Sequence, residues 1–406
     1  MQALVYSQSA LFYLLRRTLN SIFPHRFFGL ISGLKLKEIP FNSRGSDWVI
    51  LRNRICGICG SDLQLLRGRD SVLMEPYGSF PAVLGHEIVA EVASPTPDAL
   101  WQTGDRVVVE PLIACEERGL LPCGYCVKGK YNLCENSRGG SLTPGNFIGY
   151  NRSIGGGMAE FMTVHVSRII RLPDSLPDEK AVLTDSLASA LQPVLDHFPN
   201  DSETVVVYGA GILGQHTIRA LRCLGSKASI VAVTRHAFQD DLARSGGADK
   251  VLRSPGRAEL GNALGAGFIP TTLGGGNLDG GADIFFDCVG SQRSLQEGLL
   301  ALRSSGKLVM VGTAASISRI DISSLWFREL HLVGSVAAAH SLFRGRDVHT
   351  YQLAVDLLAS QSYDAKGLVT HLFPLREYGK AFAHAFDRPH FQSVKVALNM
   401  RGGGGT

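Results

Sequence analysis

Four cysteines fall within twenty residues, in the order Cys115-x7-Cys123-x2-Cys126-x7-Cys134. Thiolates on a short, turning backbone suit a tetrahedral zinc ion, and Pro122, Gly124 and Gly129 supply the bends. With four protein ligands such a metal has no position left for substrate, so its role would be to hold this lobe together. Disulfides or buried free thiols are the other reading of the quartet. A second set is dispersed: Cys59 in GICGSD, His86 and Glu87 in GHE, and Asp185 in LTDSLASAL. Singly each suits ordinary packing. Together they offer one thiolate, one imidazole and two carboxylates, the ligand types of a zinc ion that keeps one position open. Cys56 competes with Cys59 for the thiolate role. Gly60, Ser61 and Asp62 favour Cys59, because a hydroxyl and an acid beside a ligand suit the surroundings of a reacting metal.

A third constellation reads as a nucleotide site. Tyr208 ends an apolar run, and Gly209, Gly211 and Gly214 then give G-x-G-x-x-G, with Ile212 and Leu213 opening a helical stretch. The first glycine permits the tight turn, the second lets the backbone approach a pyrophosphate, and the third allows helix and strand to pack closely. The free N–H groups of the helix start then face the anion. About 20 residues on, where an NAD binder usually carries an acid for the ribose hydroxyls, stand Thr234, Arg235 and His236. Without that acid, and with a planar cationic donor in its place, the site favours the 2′-phosphate of NADP over NAD.

The elements that must position these residues follow from the rhythm of the chain. Residues 1 to about 170 read as short strands (Ala3–Tyr6, Trp48–Asn53, Ile88–Val92, Arg106–Glu110, Glu160–His165) broken by Pro and Gly, which argues for a partly open β-barrel. From about Ser202 the pattern alternates between apolar β-branched runs and helical stretches at Ile212–Leu224, Phe238–Ser245 and Gln292–Leu302. That alternation predicts an α/β domain with a doubly wound parallel sheet over residues 171–337. Residues 338–406 read as a return segment whose strand, Ser393–Met400, rejoins the first domain. Gly261–Gly281, with eight glycines in twenty-one residues, reads as a surface excursion, and RGGGGT as a frayed tail.

Composition sets outer bounds. The 406 residues are too many for one ordinary core, 45% are apolar, and 40 basic against 36 acidic side chains leave a net charge of only +4. Disorder and a nucleic-acid footprint are both excluded. The apolar, basic stretch Leu11–Leu36 is interrupted by Arg16, Arg17, His25 and Arg26 before it reaches the 18 or so apolar residues of a membrane span. It reads as an amphipathic helix packed on its own domain, with peripheral membrane contact as the minority reading. With no secretion signal evident, a cytoplasmic location is expected.

In GICGSD, GHE, the four-cysteine lobe, GAGILG and LVTHLFPL, taken in that order, the chain resembles the zinc-dependent medium-chain dehydrogenase/reductases, which include alcohol, sorbitol and threonine dehydrogenases. The resemblance spans essentially the whole chain. It implies a GroES-like β-barrel catalytic domain, a Rossmann-type cofactor domain and an active site in the cleft between them. By the same resemblance Cys59 and His86 are zinc ligands, Glu87 and Asp185 stand where the family has direct or water-linked acids, and Ser61 passes the substrate proton outward. Departures are visible. Seven residues separate Cys115 from Cys123 where two are common, so the lobe's first loop must bulge. Gln64 stands where alcohol dehydrogenases often carry His and cannot move a proton as imidazole does. Asp185 is a shorter acid than the Glu of related polyol enzymes, and Ala90 replaces a common glycine.

The expected protein is therefore an oxidoreductase with two zinc ions, one catalytic and one structural, that moves a hydride between NADP(H) and an alcohol or carbonyl. Its substrate would be a small secondary alcohol, polyol or hydroxylated metabolite, and an NADP cofactor points to carbonyl reduction as the working direction. An enzyme that keeps its cofactor for internal redox, such as a dismutase or epimerase, and a non-catalytic nucleotide-binding protein are the alternatives. The run Leu330–Val336 reads as an exposed edge strand, so a homodimer is expected.

Overall fold

The structure, a computed structural model, describes residues 1–96, 100–273, 275–312 and 316–401. The glycine-rich tail beyond Arg401 and Gly274 of the glycine-rich segment lie outside them. Contacts divide the chain into two compact units: Met1–Asp185 with Tyr351–Ser360 and Ala365–Thr406, and Ser186–Thr350 with Gln361–Asp364. Both boundaries fall later in the chain than the expected 170 and 337, because the helix carrying Asp185 straddles the first and a hairpin, His340–Phe343 with Arg346–His349, precedes the second.

The first unit is built on a seven-stranded sheet. Along it run Val369–Pro374, Lys395–Asn399, Trp48–Gly57, Glu87–Val92, Arg106–Val109 and Ile169–Arg171, while Phe161–His165 pairs with the first half of Trp48–Gly57. Strand Trp48–Gly57 can serve so many partners because its ladder to Glu87–Val92 shifts register between Asn53 and Ile55; such an irregularity bends the strand and lets its two halves serve different neighbours. The C-terminal strand does rejoin this unit, Ala397 pairing with Gly57. A three-stranded sheet, Leu34–Glu38, Gln2–Tyr6 and Ala82–Val83, packs its Leu4, Tyr6 and Leu34 into the same core as Leu51, Ile88, Val109, Phe382 and Leu398. Between Tyr6 and its partner Leu34 the chain makes an excursion containing helix Ala10–Ile22. The expected helix forms, but the side it turns inward carries buried Arg16 and Asn20, and Leu11, Leu14 and Leu15 face out.

The second unit is a six-stranded parallel sheet in the order Lys250–Arg253, Ser229–Thr234, Thr204–Tyr208, Ala282–Asp287, Leu302–Met310, His331–Gly334. Val206, Val231, Phe285 and Leu308 lie within its core, as expected of parallel strands covered on both faces. Strand order reverses beside Thr204–Tyr208, the place where open α/β sheets bind ligands. The glycine-rich segment is more ordered than its composition suggests: it forms a hairpin, exposed Gly267–Pro270 against half-buried Gly276–Asp279. Its glycines serve the pairing, since a Cβ on Gly276 would come within 2.5 Å of the Phe268 ring.

Candidate active site and cofactor cradle

Cys59 stands at the N-terminus of helix Gly60–Arg67, where its backbone N–H donates to Asp62 Oδ2 at 2.9 Å. His86 and Glu87 arrive from the start of strand Glu87–Val92 on the neighbouring ladder. The ligand atoms of Cys59, His86 and Glu87 lie within 4.8 Å of one another, and His86 Nδ1 is buried without a hydrogen-bond partner. A thiol, an imidazole and a carboxylate so grouped fit a zinc ion with an open position. Burial alone would strip the proton from His86; the Cys59 thiolate beside it, with Asp62 and Asp185, raises the imidazole well above its ordinary range instead. Asp185, in the first turn of helix Thr184–Asp196, stays outside this close trio, and burial pushes its carboxyl up to about 7 against the pull of His86. Cys56 also stays outside: it is buried, contacts Gly57 O at 3.6 Å, and burial holds its thiol protonated.

Three residues of this site, two of them through their side chains, are ones that sequence reasoning missed. Lys395 donates from Nζ to both Glu87 oxygens, at 2.5 and 2.6 Å, and both residues are buried. A buried carboxylate needs such a partner, and removing either would leave an unpaired charge. The clue was available: a lysine inside the apolar run SVKVALNM marks a buried partner. Gly57 makes the approach possible, since a Cβ there would stand 1.9 Å from Glu87 Oε2. Tyr150, the third, places its hydroxyl 3.0 Å from Ser61 Oγ and 2.8 Å from Asp62 Oδ1, with its ring tilted 5.5 Å from the His86 ring. Burial, with the charges of Asp62 and Cys59, keeps the phenol protonated.

The four clustered cysteines converge as well, their sulfurs within 4.8 Å of one another. Cys115 Sγ and Cys134 Sγ are 3.6 Å apart. That is close to the edge of about 3.8 Å that a tetrahedron with Zn–S of about 2.3 Å requires, and far from the S–S length of about 2.0 Å in a disulfide. The long first loop bulges without opening the lobe. Glu117 folds back to accept from Ala114 N at 2.6 Å and holds Arg168 in a buried pair, while Arg118 donates to Gly139 O at 3.0 Å. Cys115 Sγ also accepts from Cys123 N and from Asn136 Nδ2, each at 3.2 Å, as a thiolate in a metal lobe would. A further group, Glu116, Glu117 and His165, has its central carboxylate already engaged by Arg168 and Ser167.

In the second unit the fingerprint takes the form its glycines dictate. Gly209 has φ of +94°, a turn conformation that side chains disfavour, and a Cβ on Gly214 would sit 2.1 Å from Gly209 O. Gly211 precedes helix Ile212–Cys223, so the first-turn N–H groups, among them those of Ile212 and Leu213, are left for an anion. Thr234, at the end of the second strand, is buried and donates to Asp240 Oδ1 at 2.6 Å; Asp240 Oδ2 also takes Arg253 Nε at 3.0 Å. Burial works against the Asp240 charge, but Arg253 and Thr234 outweigh it and hold the carboxyl below its ordinary range. The acid nearest this strand end is thus already paired. Arg235 is exposed, and Arg253, a second arginine beside Thr234 in the ladder, was not foreseen. His236 stacks on Phe238 with ring centroids 5.6 Å apart.

Residues 45–174 match the alcohol dehydrogenase GroES-like domain, and residues 213–360 match the zinc-binding dehydrogenases. The chain is 28% identical to an L-idonate 5-dehydrogenase from Vitis vinifera over 91% of its own length and 93% of that protein's. It is also 28% identical to the sorbitol dehydrogenase of Homo sapiens, over 86% and 88% of the two chains. Among solved structures, 2R,3R-butanediol dehydrogenase from Bacillus subtilis superposes with a TM-score of 0.72 at 21% identity, covering 98% of this chain and 99% of that one. At that identity the likeness speaks for the fold alone.

Proposed function

The chain belongs to the zinc-dependent medium-chain dehydrogenases, and from that premise we propose that it oxidises and reduces a polyol or related secondary alcohol with NADP(H), using Cys59, His86 and Glu87 to hold a catalytic zinc. The grouping of those three ligand side chains, with Ser61 and Tyr150 alongside, carries the reading. When bound, zinc supplies a Lewis acid for the alcohol oxygen and the nicotinamide supplies the hydride acceptor. The protein does the rest. Lys395 fixes the Glu87 carboxylate, Ser61 takes the hydroxyl proton, and Tyr150 holds Ser61 between the substrate side and the Asp62 carboxylate. Asp185, outside the trio, takes the water-linked place among the acids. Gly209, Gly211, Ile212, Leu213 and Gly214 cradle the pyrophosphate, and Thr234, Arg235 and His236 face the adenosine ribose, where Arg235 selects the 2′-phosphate. Cys115, Cys123, Cys126 and Cys134 hold a second, structural zinc; a site of four thiolates suits a reducing compartment such as the cytosol.

The test is metal analysis and fluorescence titration on one purified sample. Two zinc ions per chain, NADPH bound at least tenfold more tightly than NADH, and a Cys59→Ala variant that folds but carries one zinc and no turnover are expected. One zinc in the unaltered protein, or most activity surviving in Cys59→Ala, would remove the catalytic assignment; equal affinity for the two nucleotides would remove the role of Arg235.

A further inference from the structure

Helix Ala10–Ile22 is inside out. Its inward side is a polar clasp: Arg16 donates to Ser32 O at 2.8 Å, Ile31 O at 3.3 Å and Tyr6 Oη at 2.9 Å, and Asn20 donates to Arg16 O at 3.0 Å. Two further bonds tie it to the chain after helix Gly60–Arg67, Arg69 to Asn20 O at 2.9 Å and Tyr13 to Asp70 O at 3.3 Å. Burying a guanidinium is tolerable only because these acceptors surround it, and they leave the helix one orientation. In that orientation Leu11, Leu14, Leu15 and Ile22 are 73, 61, 41 and 62% exposed. Leu11, Leu15 and Ile22 follow i, i+4, i+11, one stripe of a helix, and Leu30 beyond it is 97% exposed. Next to the tie at Asp70, Val72, Leu73 and Met74 are exposed too. Large apolar side chains held outward by buried polar bonds mark a surface that something covers.

The charge around the stripe identifies the partner. No Asp or Glu occurs between Met1 and Lys37, whereas Arg17, Arg26, Lys35 and Lys37 are all exposed. Glu75 is the one carboxylate in the flanking Val72–Tyr77 turn. A two-fold contact between copies of this chain would set arginine against arginine, since a symmetric interface meets its own patch. A bilayer carrying anionic headgroups neutralises the same arginines while its acyl boundary takes the leucines. Thirteen residues rise only about 20 Å, short of the about 30 Å of a hydrocarbon core, and no described helix is long and apolar enough to cross a membrane. We propose that residues 10–30 form an interfacial anchor that lays the leucine stripe of helix Ala10–Ile22 onto an anionic membrane surface.

Flotation of the full-length protein with vesicles tests this. Vesicles of phosphatidylcholine containing phosphatidylserine should carry the protein at low salt, release it at high salt, and carry at least tenfold more of it than phosphatidylcholine alone. A Leu11→Ser, Leu15→Ser, Ile22→Ser variant and, separately, an Arg17→Gln, Arg26→Gln variant should each lose at least tenfold of that partition while keeping alcohol turnover, which reports that the fold survives. Failure of the unaltered protein to float with either vesicle, or partition indifferent to phosphatidylserine, overturns the proposal. So does a serine variant that sediments at half the native mass when the unaltered protein does not bind vesicles, because the stripe would then be a contact between copies. Should a variant fail to fold, the salt and lipid dependence of the unaltered protein decides.

Discussion

Tyr150 has one proton and two neighbours. Asp62 is the stronger acceptor, a buried carboxylate 2.8 Å away, so the phenol donates there and its lone pairs face Ser61 Oγ at 3.0 Å. The Ser61 hydroxyl is thereby oriented, and in the proposed role of Ser61 the proton would leave through a phenol bonded to a carboxylate, where the sequence offered only Gln64. Replacing Tyr150 by Phe keeps the ring against His86 and deletes both hydrogen bonds, of which the one that orients Ser61 contributes about 1 kcal/mol. Steady-state kinetics should show kcat down about 3- to 10-fold with KM little changed, whereas Ser61→Ala should cost about 100-fold or more. A Tyr150→Phe enzyme with unaltered kcat would show that Ser61 needs no such partner. Neither Tyr150 nor Lys395 could be paired with the site by spacing: they join it through contacts 89 and 308 residues away in sequence. Ser61, Cys59, His86 and Glu87 were legible because each sits in a short segment whose neighbours share its chemistry.

At the scale of elements, the proposed preference for NADP rests on the strand ends of the parallel sheet. Thr234 closes the second strand on Asp240, and Arg253 of the adjacent strand end closes on the same carboxylate. Asp240 is therefore engaged at both oxygens, and Arg235, in the turn that follows Thr234, is exposed. A charge-assisted bond to phosphate contributes about 1.5–3 kcal/mol. Arg235→Ala should weaken NADPH binding at least tenfold and leave NADH within about twofold, read by fluorescence titration; equal losses for both nucleotides would place Arg235 away from the 2′-phosphate. Glycine spacing announced this cradle because every requirement in it is local: a positive φ at Gly209, a close approach at Gly214. The facing of helix Ala10–Ile22 was not legible. Periodicity identifies a leucine stripe but is silent on whether the opposite side meets solvent or a cluster of carbonyl acceptors, and here Ser32 O and Ile31 O lie in the following turn.

At the scale of the whole molecule, among the described residues the strand His331–Gly334 of the parallel sheet is paired on one side only and carries an exposed leucine. His331–Gly334 pairs on one edge with Leu302–Met310 and ends the strand order, and Leu332 is 42% exposed. The edge at the other end, Lys250–Arg253, opens and closes with cations, a common guard against further pairing. The expected Leu330–Val336 edge thus exists as a shorter strand without such protection. Pairing with the same strand of a second copy would complete its hydrogen bonds across a two-fold axis and extend the sheet. Sedimentation should accordingly give twice the 43.7 kDa of one chain. Leu332→Lys, which puts a like charge near the axis on both copies, should shift that mass to a single chain at micromolar concentration while cofactor titration stays normal. A native mass of one chain, or a dimer untouched by Leu332→Lys, would mean that this edge is not where copies meet.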